Sequence, residues 1–366
     1  MKNENKRPED QTVAGLFAVS ASPHLHEKVS VKSIMWNVVI ALMPALIAAT
    51  YFFGFKAITL TLYGVIAAVV TEALIQLFRK KEITVLDGSA VITGILVAYN
   101  LHSAAPWWLP VVGSVFAIAI GKHVFGGLGN NPLNPALLAR VFLVASWPTL
   151  MTAGWKPTIH GALSGITTSI KVPAVTNLIS SATPLAVIKT LRDPSMLAGI
   201  DKSTLQSLMG DITSFSTLQN LFWGNVGGVI GEVSAAALLI GAFWLGLKNI
   251  IEWRIPVSYI GTVFVLTYIF GGIDGIFTAS VMLPLFHIFS GGLILGAFFM
   301  ATDMVTSPLT KKGRILFGIG CGLLTTVIRL VGGYPEGVSY SILLMNLVVP
   351  LIDKYTMPKA FGGGKR

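Results

Sequence analysis

Residues Ser33–Gly54 read SIMWNVVIALMPALIAATYFFG, 22 positions without one charged side chain. As a helix, about 20 apolar residues cross the roughly 30 Å hydrocarbon core of a bilayer. The stretch is therefore expected to span a membrane. A second run, Ala57–Phe78, follows almost at once. Further along come Gly228–Leu247, Ile255–Gly271, Ile276–Met300 and Ile315–Val331. Shorter runs cover Gly88–Leu101, Trp107–Gly121, Pro135–Leu150 and Val338–Ile352. The sum is about ten transmembrane helices. Composition agrees: of 366 residues, 53% are hydrophobic and only 11% charged, with mean hydropathy +0.74. Soluble domains carry about 25% charged residues. An ordinary soluble enzyme, a disordered chain and a disulfide scaffold are excluded.

The net charge is +10. In a soluble protein that would suggest nucleic acid; here the charge follows position along the chain. With the N-terminus inside, the inside segments hold Lys2, Lys6, Arg7, Lys28, Lys32, Arg79, Lys80, Lys81, Lys122, Lys248, Arg254, Lys311, Lys312, Arg314, Lys354, Lys359, Lys365 and Arg366, eighteen of 26 basic residues. Short outside loops hold Lys56 and, at a helix end, Arg329, and Arg140 falls within a span. The others lie in one long segment, and long loops are largely exempt from the positive-inside rule. Both termini are expected to be cytoplasmic, in a prokaryotic inner membrane. The polar start MKNENKRPEDQT has no apolar signal region, so insertion is expected through the first membrane helix.

The boundaries that follow are a cytoplasmic segment 1–32, a five-helix membrane repeat 33–150, an extracytoplasmic loop 151–227, a second five-helix repeat 228–352 and a cytoplasmic tail 353–366. Leu86-Asp87-Gly88 is echoed by Ile273-Asp274-Gly275, and Asn131-Pro132-Leu133 by Ser307-Pro308-Leu309. The fold class expected is an all-α polytopic membrane protein of two inverted repeats of five, with broken helices and one long outside loop.

Inverted repeats place binding sites near the midplane, where helices break. Two breaks stand out. Gly126–Pro135, GGLGNNPLNP, combines glycines, prolines and the amides of Asn130, Asn131 and Asn134. Ala301–Pro308, ATDMVTSP, adds the carboxylate of Asp303 and the hydroxyl of Thr306. Such segments can wrap a polar ligand within the membrane or serve as plain loops at helix ends. Carboxylates in or beside spans are costly and so are candidates for an ion path: Asp87, Glu232 and Asp274, with Glu72, Asp303 and Asp353 also placed there. No GxxxxGKS/T or HExxH string occurs, and the six histidines show no metal-site spacing beyond His24-x-His26 in the polar tail. The single cysteine, Cys321, cannot hold an iron–sulfur cluster alone and is expected to be a small buried hydrophobe.

The long loop contains Asn177–Ala186, NLISSATPLA. Pro184 biases Thr183 towards extended backbone, which can present its side chain outward. Ser180-Ser181-Ala182-Thr183-Pro184-Leu185-Ala186 resembles the flavinylation motif of the D subunit of Rnf-type ion-translocating electron-transport complexes, and is similar to that of the B subunit of Na⁺-translocating NADH:quinone reductase. Asp87-Gly88-Ser89-Ala90 with Thr93-Gly94, Gly129–Ala136, and Ala301–Met304 with Ser307-Pro308 also look like family segments. The position six residues before the threonine, usually Asp in the transferase motif, is Asn177 here.

The resemblance implies a membrane subunit of a ferredoxin:NAD⁺ oxidoreductase that translocates Na⁺ or H⁺. It implies FMN joined through its phosphate to Thr183, near Ser180 and Ser181, by a flavin transferase. It also implies a second, noncovalent flavin, riboflavin, with Asn130, Asn131, Asn134, Asp303 and Thr306 as candidate contacts. Sister subunits would carry the iron–sulfur clusters and the NAD(H) site. Besides these, the partner expected is membrane lipid, not nucleic acid. Two other readings share the architecture: a solute permease or channel without a redox cofactor, and a purely structural scaffold subunit.

Overall fold

The structure is a computed structural model and describes residues 30–152, 184–190, 210, 214–271, 281–334 and 336–358. Thr183, Ser180, Ser181, Asn177 and Asp274 lie outside them. Among the described residues the chain is all-helical, and its β-structure is confined to one bridge, His102 to Val229. The first half holds α1 (Val31–Phe53), α2 (Lys56–Phe78), α3 (Ser89–Tyr99), α4 (Trp108–Phe116), α5 (Pro135–Ser146) and α6 (Pro148–Thr152). Helix α4 runs on as a π-helical segment, Ala117–His123. Two short helices follow, α7 (Pro184–Thr190) and α8 (Phe215–Trp223). The second half holds α9 (Ala235–Leu247), α10 (Arg254–Phe270), α11 (Met282–Phe289), α12 (Leu293–Leu295), α13 (Lys311–Leu330) and α14 (Val338–Thr356). Helix α12 also continues as a π segment, Gly296–Met300.

Helices α1, α2, α13 and α14 are each long and apolar enough to cross a membrane. Helix α11 and the α12–π unit form a further candidate span, bent by 67° at its break. Shorter apolar helices account for the rest of the bundle: α3, α4 with its π extension, α5, α9 and α10. The long helices turn large apolar side chains outward, among them Ile47, Tyr51, Ile66 and Leu77. In water such a surface would aggregate; in lipid it is the matching face. The protein is a multi-pass membrane protein.

Most predicted runs coincide with helices to within a few residues. The exceptions have local causes. In the run Gly228–Leu247 the helix begins only at Ala235, because the preceding backbone is committed elsewhere: Ile230 N–H donates to Leu101 O at 2.8 Å beside the His102–Val229 bridge. In Pro135–Leu150 the helix stops at Ser146, since Pro148 offers no N–H to continue the ladder. In Ile276–Met300 the break falls at 290–292, where Gly291 takes φ +71°, a conformation only glycine adopts without strain.

Helices approach closely where side chains are small, as expected without a hydrophobic force between them. A Cβ on Gly94 of α3 would lie 2.7 Å from Gly64 O of α2. A Cβ on Gly241 of α9 would overlap Ala41 O of α1, so the two halves of the chain touch along a glycine contact.

Two basic residues depart from the expected charge layout. Lys122 is not a water-facing charge. It is buried in the π segment and paired with Glu72 of α2, with Nζ at 2.8 and 2.9 Å from the two carboxylate oxygens. Arg329 stands at a helix end, as expected, but is buried there in the last turn of α13. Removing one partner of a buried ion pair strands the other charge, at a cost of about 3–5 kcal/mol, whereas an apolar pair of similar volume is often neutral. Lys122→Met is therefore expected to lower the thermal unfolding midpoint of the detergent-purified chain by that equivalent. Adding Glu72→Leu should recover most of the loss, and a double variant no more stable than the single would contradict the pairing.

Candidate functional site

The two sequence breaks meet. Asn134 caps α5: its Oδ1 accepts from Ala136 N–H at 3.1 Å and Leu137 N–H at 3.3 Å. Its Nδ2 donates to Met300 O at 3.3 Å, 166 residues away and at the end of the second π segment. Asn346 of α14 closes the knot. With its amide oriented to satisfy both neighbours, its nitrogen donates to Thr306 O and its oxygen accepts from Asn134 N–H, each at 3.2 Å.

In front of this knot lies an open cleft with a cavity volume of about 110 Å³. The starts of α1, α3 and α5 line it, with the π segment carrying Lys122, the end of α9, and residues 298–305. Its walls are largely apolar, from Met35, Ile92, Leu245, Ile251 and Phe298. A few polar groups converge on it: Ser89, Thr93, Lys122, Asn131, Asn134, Thr302 and Asp303. Asn131 is 4% exposed. Its Nδ2 is committed to Leu133 O at 3.1 Å, while its buried Oδ1 has no hydrogen-bond partner. A buried acceptor left open is costly unless a ligand donor satisfies it. The carboxylate of Asp303 is held by Val305 N–H at 3.3 Å and the Thr306 hydroxyl at 3.2 Å.

The predicted site residues thus separate. Asn131, Asn134 and Asp303 line the cleft; Thr306 stands behind it as a buried support. Asn130 is exposed and away from the lining. Asp87 sits at the head of α3, bonded to Ser89.

A second polar centre lies along α5. Arg140, at 13% side-chain exposure, bonds Glu336 and stands 4.0 Å from Glu232. Its Nη1 donates to Asn100 Oδ1 at 2.9 Å. Arg329, 4% exposed, donates to the carbonyls of His287 at 2.5 Å and Ser290 at 3.2 Å. Glu232, with its side chain 5% exposed, stands in the turn Ile230–Glu232 that precedes α9. Helix α7 packs against the same place. A Cβ on Gly291 would lie 2.6 Å from Leu185, 3.0 Å from Glu336 Oε1 and 3.2 Å from Arg329 Nη2. Leu185 and Ile188 of α7 are buried, and α7 begins at the residue after Thr183. Between Asn134 and Arg140 the axial rise along α5 is about 9 Å.

Sequence reasoning missed Glu336, Asn346 and the burial of Lys122. Glu336 follows the turn string Gly332-Gly333-Tyr334-Pro335 and reads as loop. Asn346 was one amide inside an apolar run; an isolated amide at membrane depth was the available signal. Among the described residues no group of three His, Cys, Asp or Glu side chains is placed to hold a metal ion.

Known proteins match this chain over nearly its whole length. The family described as NQR2, RnfD, RnfE matches residues 18–362. The D subunit of the Na⁺-translocating ferredoxin:NAD⁺ oxidoreductase complex of Acetobacterium woodii is 48% identical over 346 residues, covering 94% of this chain and 95% of its own length. The D subunit of the proton-translocating ferredoxin:NAD⁺ oxidoreductase complex of Clostridium ljungdahlii is 46% identical over 354 residues, 97% of this chain and 98% of its own. The D subunit of an ion-translocating oxidoreductase complex of Aliivibrio salmonicida is 36% identical over 368 residues, 95% and 99% respectively. With a match from residue 18 to residue 362 and two polar centres joined by one helix inside a membrane bundle, the chain belongs to the NQR2, RnfD, RnfE family.

Proposed function

We propose that the chain is the flavin-carrying D subunit of a ferredoxin:NAD⁺ oxidoreductase complex that couples electron transfer to Na⁺ or H⁺ translocation across a prokaryotic inner membrane. The single observation that carries this reading is the cleft built by both breaks, with Asn131, whose buried Oδ1 is unpartnered, among its lining residues. A flat, mostly apolar ring system edged with carbonyls and one N–H suits such a lining. Asn131 would accept from the ring N–H, Asn134 and Thr302 would bound its polar edge, and apolar side chains would cover its faces. Flavins supply the one- and two-electron chemistry that side chains lack.

The covalent flavin, FMN, is assigned to Thr183 as a phosphoester made by a flavin transferase. What supports this is the attachment string and the anchoring of α7, whose Leu185 meets Gly291 beside Glu336 and Arg329. The two centres then lie one above the other along α5, a relay inside one polypeptide. Sister subunits carry iron–sulfur clusters and the NAD(H) site, in keeping with the lone buried thiol here. The coupling ion would follow carboxylates along this route, Glu232 among them.

The helix contacts are in keeping with two five-helix repeats. Helix α2 contacts α3 and α4 as α10 contacts α11 and α13, and α4 meets α5 as α13 meets α14. Both termini are then cytoplasmic.

Thr183→Ala should abolish flavin fluorescence at this chain's mass in a denaturing gel, and fluorescence persisting there sinks the attachment. Asn131→Leu should lower the flavin released by acid denaturation about tenfold, the loss of roughly one to two kcal/mol of hydrogen bonding. Gel fluorescence through Thr183 should be unchanged in that variant. A colourless preparation from cells that hold the transferase would favour a permease instead.

A further inference from the structure

A hydrogen-bonded chain links the head of α3 to the wall of the cleft. Asp87, half-buried, accepts from the Ser89 hydroxyl at 2.6 Å. Ser89 Oγ in turn accepts from Lys122 Nζ at 2.7 Å. Ser89 and Lys122 both line the cleft; Asp87 does not. Lys122 is 3% exposed and sits in the π segment, a distortion concentrated at functional sites.

The surrounding charges are disposed around this chain. From α2, Glu72 holds the Lys122 ammonium through both oxygens, and Gln76 links Glu72 to Thr84 at 3.2 and 2.9 Å. His123 Nε2 stands 3.8 Å from Glu72, and Arg79 donates to His123 O at 2.8 Å. Across the cleft stands Asp303. A static ion pair needs only Glu72 and Lys122. The Ser89 hydroxyl extends that pair by two further short contacts towards the end of α3.

We infer that Asp87, Ser89 and Lys122 form a proton path into the cleft, with Lys122 the last donor to a reduced flavin; this rests on the flavin reading of the cleft. Full reduction of the ring takes two electrons, from a low-potential iron–sulfur donor, and two protons. For each proton, an N–H bond of Lys122 breaks and one forms on a ring nitrogen. The amine takes a proton from the Ser89 hydroxyl, Ser89 takes one from Asp87, and Asp87 is recharged from water. Each protein group ends as it began. Lys122 reaches the ring by exchanging one of its two Glu72 contacts.

Asp87 also accepts from Ser89 N–H at 2.8 Å and so caps α3. Asp87→Asn keeps that acceptor but cannot carry a proton. Ser89→Ala removes one oxygen and leaves the Glu72–Lys122 pair in place; Ser89→Thr keeps the hydroxyl. In the purified complex, stopped-flow reduction would follow the absorbance change of flavin protonation in water and in deuterium oxide. Ser89→Ala and Asp87→Asn should slow that phase at least tenfold, with an altered solvent isotope effect, and Ser89→Thr should stay within about threefold of the parent. A parental rate in Ser89→Ala, with noncovalent flavin still released on acid denaturation, overturns the proton path alone. Release of no such flavin from the parent complex overturns the cleft reading and the path with it.

Discussion

Hydrocarbon offers no hydrogen bonds, so every backbone group freed by a broken helix must be satisfied by protein. Asn134 meets that demand on both sides of the bundle. Its oxygen closes the first turn of α5 and its nitrogen takes the carbonyl that ends the second π segment. Asn346 ties the same point to Thr306. The two breaks are far apart in sequence but hold each other's loose ends. The cleft is built where the two breaks meet.

The same constraint governs charge. Ionised groups taken out of water are tolerated when paired and hydrogen-bonded. The Glu72–Lys122 pair meets this through two carboxylate contacts and one hydroxyl. The centre around Arg140 and Arg329 meets it by spreading the guanidinium donors over Glu336, Asn100 and two backbone carbonyls. Both centres draw their members from separate helices. Each therefore acts as a cross-bolt between elements that otherwise touch through small residues.

How much of this was legible follows from range. The spans were legible because apolar length is a local property, and α1, α2 and α13 lie where their runs predicted. The breaks were legible because proline, glycine and clustered amides act on their own backbone, and Asn131, Asn134 and Asp303 do line one cleft. Pairing was not legible. Lys122 and Glu72 are 50 positions apart, and Arg140 and Glu336 are 196 apart. Nothing local distinguishes a lysine that will be buried from one beside a membrane face. Glu232 illustrates the middle case: its burial was expected, but its turn is set by Leu101, which lies in the other half of the chain.

Helix α5 has a consequence of its own. It begins at the Asn134 cap and passes Arg140, so one short rigid rod measures the gap between the two polar centres. A gap spanned by a loop would breathe. Here the gap is a fixed count of peptide units. Substitutions that loosen the rest of the bundle would change how long the protein survives, yet leave the spacing of its two polar centres untouched.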